Sequence, residues 1–219
     1  MTELLPAPPV APAPPAPLTM AFGPLSISYD DRVLTPRPWT QLQARWAAEI
    51  LEEAPPGPVL ELCSGAGHIG LLAVHGTDRR LVCVDVDPVA CGFARRNADA
   101  AGRGGLVEVR NLAVDDFASD EQYPLIVADP PWVLSEHLAC FPADPALAID
   151  GGDDGLALAR RCVAVIDQQL HPDGAALLQL GSVVQLETLT GELPSGLVAA
   201  DVRAEPGRGL IVRLVRPGR

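Results

Sequence analysis

The segment VADPPWVL, residues 127–134, places an acid, two prolines and a tryptophan directly after a short apolar run. Two successive prolines fix φ and remove two backbone donors, so the chain forms a rigid, extended corner at a strand end. Asp129 and the carbonyl of Pro130 can then accept both N–H bonds of a planar NH2 group. Such contacts orient the nitrogen lone pair towards an electrophile, and Trp132 can stack on the target. A strand end with a core tryptophan is the structural alternative.

A glycine-rich turn lies in the segment VLELCSGAGHIGLLAV, residues 59–74. Gly65 and Gly67 let the backbone turn tightly and approach a ligand closely, and the following helix offers unpaired N–H groups there. Dinucleotide-binding folds use a turn of the same kind, so the glycines alone do not identify the ligand. Glu61 precedes the turn, where an acid suits the cationic amino-acid portion of S-adenosylmethionine (SAM) better than a pyrophosphate. The pattern favours SAM, and hence methylation.

An acid also ends the next apolar run, in the segment LVCVDVDP. This acid, Asp85, is placed to accept hydrogen bonds from ribose hydroxyls, while Asp87 is the better cap for the next helix. A purely structural turn with Asp85 as a helix cap is the alternative. The adenine amino group could be bound by Asp115 or Asp116, or by a backbone group instead. The two acids could equally be solvated residues at the start of a helix.

Apolar runs alternate with helical segments along most of the chain. Strands are predicted at 58–63, 81–86, 106–110, 125–129, 175–181, 197–204 and 210–215, and helices at 68–75, 88–101, 114–120 and 153–170. The alternation predicts parallel pairing, and the short link between the last two runs requires an antiparallel pair. The predicted fold class is α/β: a Rossmann-like, seven-stranded, mostly parallel sheet with a C-terminal antiparallel hairpin and helices on both faces. This order resembles class I methyltransferases.

Three segments are predicted along the chain. Residues 1-21 form a disordered proline-rich leader, because PAPPVAPAPPAP can hold neither a helix nor a central strand. Residues 22-57 form a hairpin, with two short strands around the acids at 30–31, and a helix over 41–53 that Thr40 caps. Residues 58-219 form the SAM-dependent methyltransferase domain.

Composition and charge limit the partners. The net charge of −12 argues against a long nucleic acid, because phosphate neutralisation needs Lys and Arg, of which there are 16 in 219 residues. The five cysteines have no CxxC spacing and the four histidines lie far apart, so neither a metal site nor a disulfide framework is expected. No signal-like leader and no membrane-length apolar run occurs, which predicts a cytoplasmic protein without a membrane partner.

The DPPW corner and three further stretches carry a family resemblance, and those three look specifically like the HemK/PrmC family of glutamine N5-methyltransferases, which modify the GGQ loop of peptide release factors. The DPPW corner is similar to the (D/N)PPY tetrad of amino-methyltransferases, and RVLTPRPWTQ (32–41) resembles the PRPETE element of the family. PALAIDGGDDGLALARR (145–161) resembles its ALxGGxDGL segment, and the GGDDGL part of it is the most telling piece. DGAALLQLGSVVQ (173–185) resembles the fifth strand of the family and its Gly-x-x-Gln ending. The resemblance covers about residues 24–215.

The resemblance implies roles for individual residues. It implies that Asp129 and Pro130 bind the target nitrogen. It also implies that SAM is surrounded by Glu61, Gly65, Gly67, Asp85 and the neighbourhood of Pro38 and Thr40.

Three departures from the family leave the methyl acceptor open. Asp129 and Trp132 stand where the family usually has NPPY, and an ionised Asp accepts hydrogen bonds but donates none. Trp39 and Gln41 replace acids of the PRPETE element, and the N-terminal helical domain that docks the release factor is missing. The leading prediction is N-methylation of a protein glutamine amide in a release factor. The alternatives are the amino group of a small molecule or nucleobase, and a non-catalytic SAM-binding protein.

Overall fold

The computed structural model describes residues 16–218, and its first element is a β-hairpin. Strands β1 (Leu18–Phe22) and β2 (Leu25–Tyr29) pair antiparallel across the turn at Gly23 and Pro24. Gly23 has a φ of 59°, which a glycine adopts without a steric penalty. The hairpin is therefore fixed by its glycine turn.

The predictions for the hairpin turn and for the proline-rich leader both need correction. The hairpin turn was predicted at the two acids at 30–31, but it lies at Gly23 and Pro24, where glycine supplies the positive φ. Asp30 follows the end of β2 and forms an ion pair with Arg32. Strand β1 overlaps the end of the segment predicted as leader, so ordered structure begins earlier than position 22. The rest of that leader, residues 1–15, lies outside the described part of the chain.

A seven-stranded sheet forms the centre of the fold, in the order β5-β4-β3-β6-β7-β9-β8. Its strands are β3 (Val59–Leu62), β4 (Leu81–Asp85), β5 (Val107–Asn111), β6 (Tyr123–Ala128), β7 (Leu170–Leu180), β8 (Val198–Ala204) and β9 (Leu210–Val215). Strands β3 to β7 pair in parallel, and β9 pairs antiparallel with both β7 and β8. The predicted sheet is confirmed. The order reverses beside β3, where such sheets bind ligands.

Helices cover both faces of this sheet. Their bounds are α1 (Gln41–Glu53), α2 (His68–Ala73), α3 (Pro88–Ala100), α4 (Ala146–Ile149), α5 (Ala157–Gln169) and α6 (Val183–Gly191). The helix predicted at 114–120 is only a 3-10 turn, Val114–Asp116, and α6 was not predicted. Sequence periodicity misses α6 because two of its valines, Val183 and Val184, are largely exposed at its start.

Two apolar clusters form the core, one on each face of the sheet. Leu125 and Val127 of β6 pack into the cluster with α1, α2 and α3, whereas Ile126 and Ala128 pack into the cluster with α5 and α6. Because both faces are covered, β6 is apolar at every position along its length. None of the described helices combines the length and apolar character that crossing a membrane requires.

Candidate active site

The loop between β3 and α2 has an unusual backbone. Three of its residues have positive φ: Cys63 at 56°, Gly65 at 52° and Gly67 at 75°. A Cβ added to Gly65 would meet no atom within 4 Å, so this side of the loop is open. A Cβ on Gly67 would approach the Cβ of Ala94 to 3.2 Å, so that glycine allows α3 to pack closely. The loop thus leaves room for a ligand at Gly65, as predicted for a cofactor turn.

The structure brings Asp85 to this loop. Its Oδ2 atom accepts a hydrogen bond of 2.7 Å from the Gly65 N–H, and Oδ1 accepts one of 2.9 Å from the Asp87 N–H. Burial raises the pKa of Asp85, which the two backbone bonds partly oppose. Asp87 caps α3 by accepting from the Val89 N–H at 2.8 Å, so the predicted helix cap is confirmed. A contact between Asp85 and the ribose hydroxyls stays a prediction.

Glu61 lies beneath α2, with 2% of its surface exposed. Its carboxylate accepts from the Gly70 N–H at 3.0 Å and from the Cys83 thiol at 3.4 Å. A Cβ on Gly70 would lie 2.4 Å from Glu61 Oε2, so that glycine is needed to admit the carboxylate. Burial raises the pKa of Glu61 to about 7. A contact between Glu61 and the cofactor stays a prediction.

The neighbourhood of Pro38 and Thr40 adjoins the glycine loop through His68. The Thr40 hydroxyl donates to the Arg37 carbonyl at 2.8 Å and lies 3.3 Å from His68 Nε2. This hydroxyl therefore does not cap α1 as predicted. Burial lowers the pKa of His68 to about 4, which keeps the ring neutral beside the loop.

The adenine candidate Asp115 has a different partner. Its carboxylate forms an ion pair of 3.0 Å with Arg161 of α5 and is largely exposed to solvent. The structure thus directs this side chain towards α5, and its role in cofactor binding stays a prediction.

Asp129 directly follows β6, next to the glycine loop, because Ala128 pairs with Leu62 at the end of β3. Its carboxylate accepts no hydrogen bond from the described residues, and burial raises its pKa to about 7. The charges of Asp129 and Asp85 also raise the pKa of Glu61. The buried Glu61 and the partly buried Asp85 and Asp129 therefore lie near one another, without a cationic partner in the described part of the chain.

The site has the features that SAM requires. SAM carries a sulfonium and an ammonium charge, and a bound cation would relieve the repulsion among Glu61, Asp85 and Asp129. Two buried polar atoms at the loop and the start of α2, Ser64 Oγ and His68 Nδ1, have no hydrogen-bond partner among the described residues, so a ligand could satisfy them. Together with the open space at Gly65, these residues fit the predicted cofactor.

Trp132 closes the other side of the corner. A Cβ added to Gly181, at the end of β7, would lie 2.3 Å from Cε3 of the indole, so the ring packs directly on the glycine backbone. The Trp132 carbonyl accepts a hydrogen bond of 3.0 Å from Gln185 Nε2. The tryptophan is thus held at the site, partly exposed, rather than buried in the core.

The GGDDGL segment, residues 151–156, packs on the same corner. The Gly151 N–H donates to the carbonyl of Val133 at 2.8 Å, and the Ser135 N–H donates to the Gly152 carbonyl at 3.0 Å. Asp154 accepts from the Leu156 N–H at 3.0 Å, which stabilises the turn into α5. This segment, the most telling part of the family resemblance, therefore supports the corner directly.

Comparisons with known sequences agree with this architecture. A Methyltransferase small domain profile matches residues 44–140. The release factor glutamine methyltransferase of Deinococcus radiodurans is 32% identical over 204 residues, with 90% of this chain and 72% of that protein covered. The protein of the same name from Mycolicibacterium smegmatis is 32% identical over 180 residues, but only 62% of its length is covered. The ribosomal protein uL3 glutamine methyltransferase of Bradyrhizobium diazoefficiens is 37% identical over 131 residues, with 40% of its length covered.

Solved structures share the fold at low sequence identity. The hMettl16 catalytic domain superposes with a TM-score of 0.67 at 17% identity, covering 87% of this chain and 73% of that one. The N-methyltransferase NodS from Bradyrhizobium japonicum, in complex with S-adenosyl-L-homocysteine, gives 0.58 at 16% identity, covering 83% and 89%.

The sheet order, the glycine loop and the matched domain define a class I methyltransferase. Within that class, the identity and coverage shared with the Deinococcus radiodurans protein show that the chain belongs to the release factor glutamine methyltransferase family. The chain spans less than two thirds of the length of some of these relatives.

Proposed function

We propose that this chain transfers a methyl group from SAM to the side-chain amide nitrogen of a glutamine in a protein of the cytoplasmic translation machinery. The Asp129 carboxylate carries the proposal, because it lies beside the glycine loop and accepts no hydrogen bond from residues 16–218. Relatives named for glutamine methylation of release factors and of ribosomal protein uL3 support the choice of acceptor.

Residues of the corner would orient the acceptor. Asp129 and the Pro130 carbonyl accept the two N–H bonds of the amide, which fixes the nitrogen and favours the positive charge that develops on it. Trp132, partly exposed and packed on Gly181, offers a surface for the planar group. SAM supplies an electrophilic methyl group when bound. A carboxylate with a pKa near 7, as in Asp129, suits the proton that the methylated nitrogen releases.

A second candidate acceptor is the exocyclic amine of a small molecule or nucleobase. It is favoured by the carboxylate of Asp129, since a carboxylate accepts from an amine N–H but does not donate to an amide carbonyl. A tetrad with Asn would offer both a donor and an acceptor. Asp129 is thus the residue of the corner that favours an amine over a glutamine amide as the methyl acceptor.

The test is a transfer assay with labelled SAM. The acceptors are a release factor that contains a GGQ loop, its Gln→Ala variant, purified uL3 protein and a small-molecule fraction of a cell extract. We expect label on a protein acceptor, with loss of the label when the glutamine is replaced. Label confined to the small-molecule fraction would contradict the protein acceptor and support the amine. An Asp129→Ala variant that keeps full transfer would contradict the mechanism.

A further inference from the structure

The DPPW corner has little backbone hydrogen bonding of its own, because Pro130 and Pro131 carry no N–H. The carbonyl groups that flank it, those of Ala128 and Trp132, both accept from buried glutamine side chains. Gln43 Nε2 donates to the Ala128 carbonyl at 3.0 Å, and Gln185 Nε2 donates to the Trp132 carbonyl at 3.0 Å. Each end of the corner is therefore held by one amide.

Gln43 holds the first end from α1. It is fully buried, and its Nε2 atom also donates to the Leu177 carbonyl of β7 at 3.2 Å. Its Oε1 atom is buried without a partner, which costs about 1–3 kcal/mol relative to a satisfied acceptor. An apolar side chain would avoid this cost in a helix that packs on the sheet. The cost of the unpaired Oε1 offsets much of what the two hydrogen bonds of Nε2 contribute, so the net gain in stability is small. The contact next to Asp129 is therefore the more specific feature of Gln43.

Gln185 holds the second end from α6, on the opposite face of the sheet. Its Oε1 atom accepts from the Gly181 N–H at 2.7 Å, and Nε2 also donates to the Asp154 carbonyl at 3.2 Å. A Cβ on Gly155 would lie 2.0 Å from that Nε2 atom, so the GGDDGL segment closes tightly around the amide. One side chain thus joins the end of β7, the corner and the GGDDGL segment.

We infer that Gln43 and Gln185 are positioning residues that hold the two ends of the DPPW corner from opposite faces of the sheet. Neither amide reaches the methyl acceptor, since both are spent on backbone carbonyls. They fix the direction of the Asp129 carboxylate and the Pro130 carbonyl, which are the hydrogen-bond acceptors for the substrate N–H groups. A misplacement of about 1 Å at a reacting group lowers a rate by up to ~100-fold. The inference rests on the proposed function.

The test removes each donor while it keeps side-chain length, with Gln43→Met and Gln185→Met. We expect the single-turnover transfer rate to fall about 10- to 100-fold, while the SAM dissociation constant stays within about twofold. Gln168→Met, on the exposed face of α5, is the matched control and should behave as wild type. Leu189→Ala removes a buried side chain of α6 without touching the corner, and reports what lower stability alone does to the rate.

A readout that needs no methyl acceptor separates this inference from the proposed function. In protein that contains 5-fluorotryptophan, Gln185→Met should shift or broaden the 19F signal of Trp132, whereas Gln168→Met should not. If the wild-type protein methylates no glutamine, the proposed function is contradicted. The 19F signal still tests whether Gln185 fixes the position of Trp132. Wild-type rates and an unchanged Trp132 signal in the Met variants would overturn the inference. An equal loss of rate in Leu189→Ala would overturn it as well.

Discussion

The Gly65 N–H donates a hydrogen bond of 2.7 Å to Asp85 Oδ2, which joins the glycine loop after β3 to the last residue of β4. The carboxylate therefore shapes the loop as well as facing the ligand space. Each of its oxygens still has acceptor capacity, since two oxygens offer about four lone-pair sites. Asp85 can thus hold the loop and bind ribose hydroxyls at the same time.

We expect Asp85→Ala to raise the SAM dissociation constant about 10- to 100-fold, because it removes charge-assisted hydrogen bonds worth about 1.5–3 kcal/mol each. Isothermal titration calorimetry measures the change. Asp87→Ala is the control: it removes the α3 cap, lowers the free energy of unfolding by about 1 kcal/mol and leaves SAM affinity unchanged. Equal affinities in the wild-type and Asp85→Ala proteins would show that the acid is only structural.

Gly181→Ala should displace Trp132. The new Cβ would lie 2.3 Å from Cε3 and 2.8 Å from Cδ2 of the indole, which is far inside contact distance. Because the glycine loop is untouched, we expect SAM binding to persist while the methyl transfer rate falls about 10-fold or more. Gly191→Ala, whose Cβ meets no atom within 4 Å, is the control and should keep the wild-type rate. Normal transfer in Gly181→Ala would mean that the indole position does not matter.

The sheet and the proximity of the glycine loop to Asp85 could be predicted because their signals are local. Apolar runs with short links define the strands, and Gly65 with Asp85 lies at strand ends that a parallel sheet brings to one edge. Gln43 has no such signal, and the family's Gly-x-x-Gln ending marks Gln185 without showing what it contacts. Gln43 bonds to a carbonyl 85 residues away and Gln185 to one 53 residues away, so only the folded chain shows their partners.

The orientation of other residues near the site depends on tertiary contacts that the sequence does not show. Asp115 is an acid at the expected strand end, but its ion pair with Arg161 depends on where α5 packs. The apolar run 58–63 predicts Cys63 as the last residue of a strand, and a cysteine in such a run is expected to be a small buried hydrophobe. Cys63 is instead partly exposed and has the left-handed φ that a glycine adopts more easily. The position of Cys63, directly before a turn with two glycines, is the sequence feature that indicates a change of backbone direction there.

Cys63→Gly tests this strain. A glycine at a φ of 56° avoids a penalty of about 1 kcal/mol, so we expect it to be more stable than Cys63→Ala by about that amount. Comparison with the Ala variant is needed because both lose the contact of 3.9 Å between the sulfur atoms of Cys63 and Cys162. Urea denaturation of the two variants measures the difference. Equal free energies of unfolding would show that the loop relaxes around a side chain.

The pH dependence of transfer should report Asp129. Its pKa in the free protein is about 7, and only the ionised form offers both oxygens as acceptors. We therefore expect kcat/KM for SAM, which reports the free protein, to rise with pH through about 7. In the SAM complex a nearby cation lowers this pKa, so the rise in kcat should occur at lower pH. Asp129→Asn should lose the rise in kcat/KM, and a variant that keeps it would assign the titration to another group.

Stability should change with pH in the opposite direction from transfer. The Asp129 carboxyl keeps its proton up to about pH 7 in the folded chain, because burial opposes its charge, but loses it near pH 4 when unfolded. The unfolded state therefore binds fewer protons between these values, and the free energy of unfolding falls as pH rises. Asp129→Asn removes this contribution, so it should be relatively more stable at pH 8 than at pH 5, by about 1–3 kcal/mol. Glu61, buried with the same raised pKa, should leave a residual fall in the variant. A difference between the two proteins that stays constant from pH 5 to pH 8 would show that Asp129 is ionised throughout.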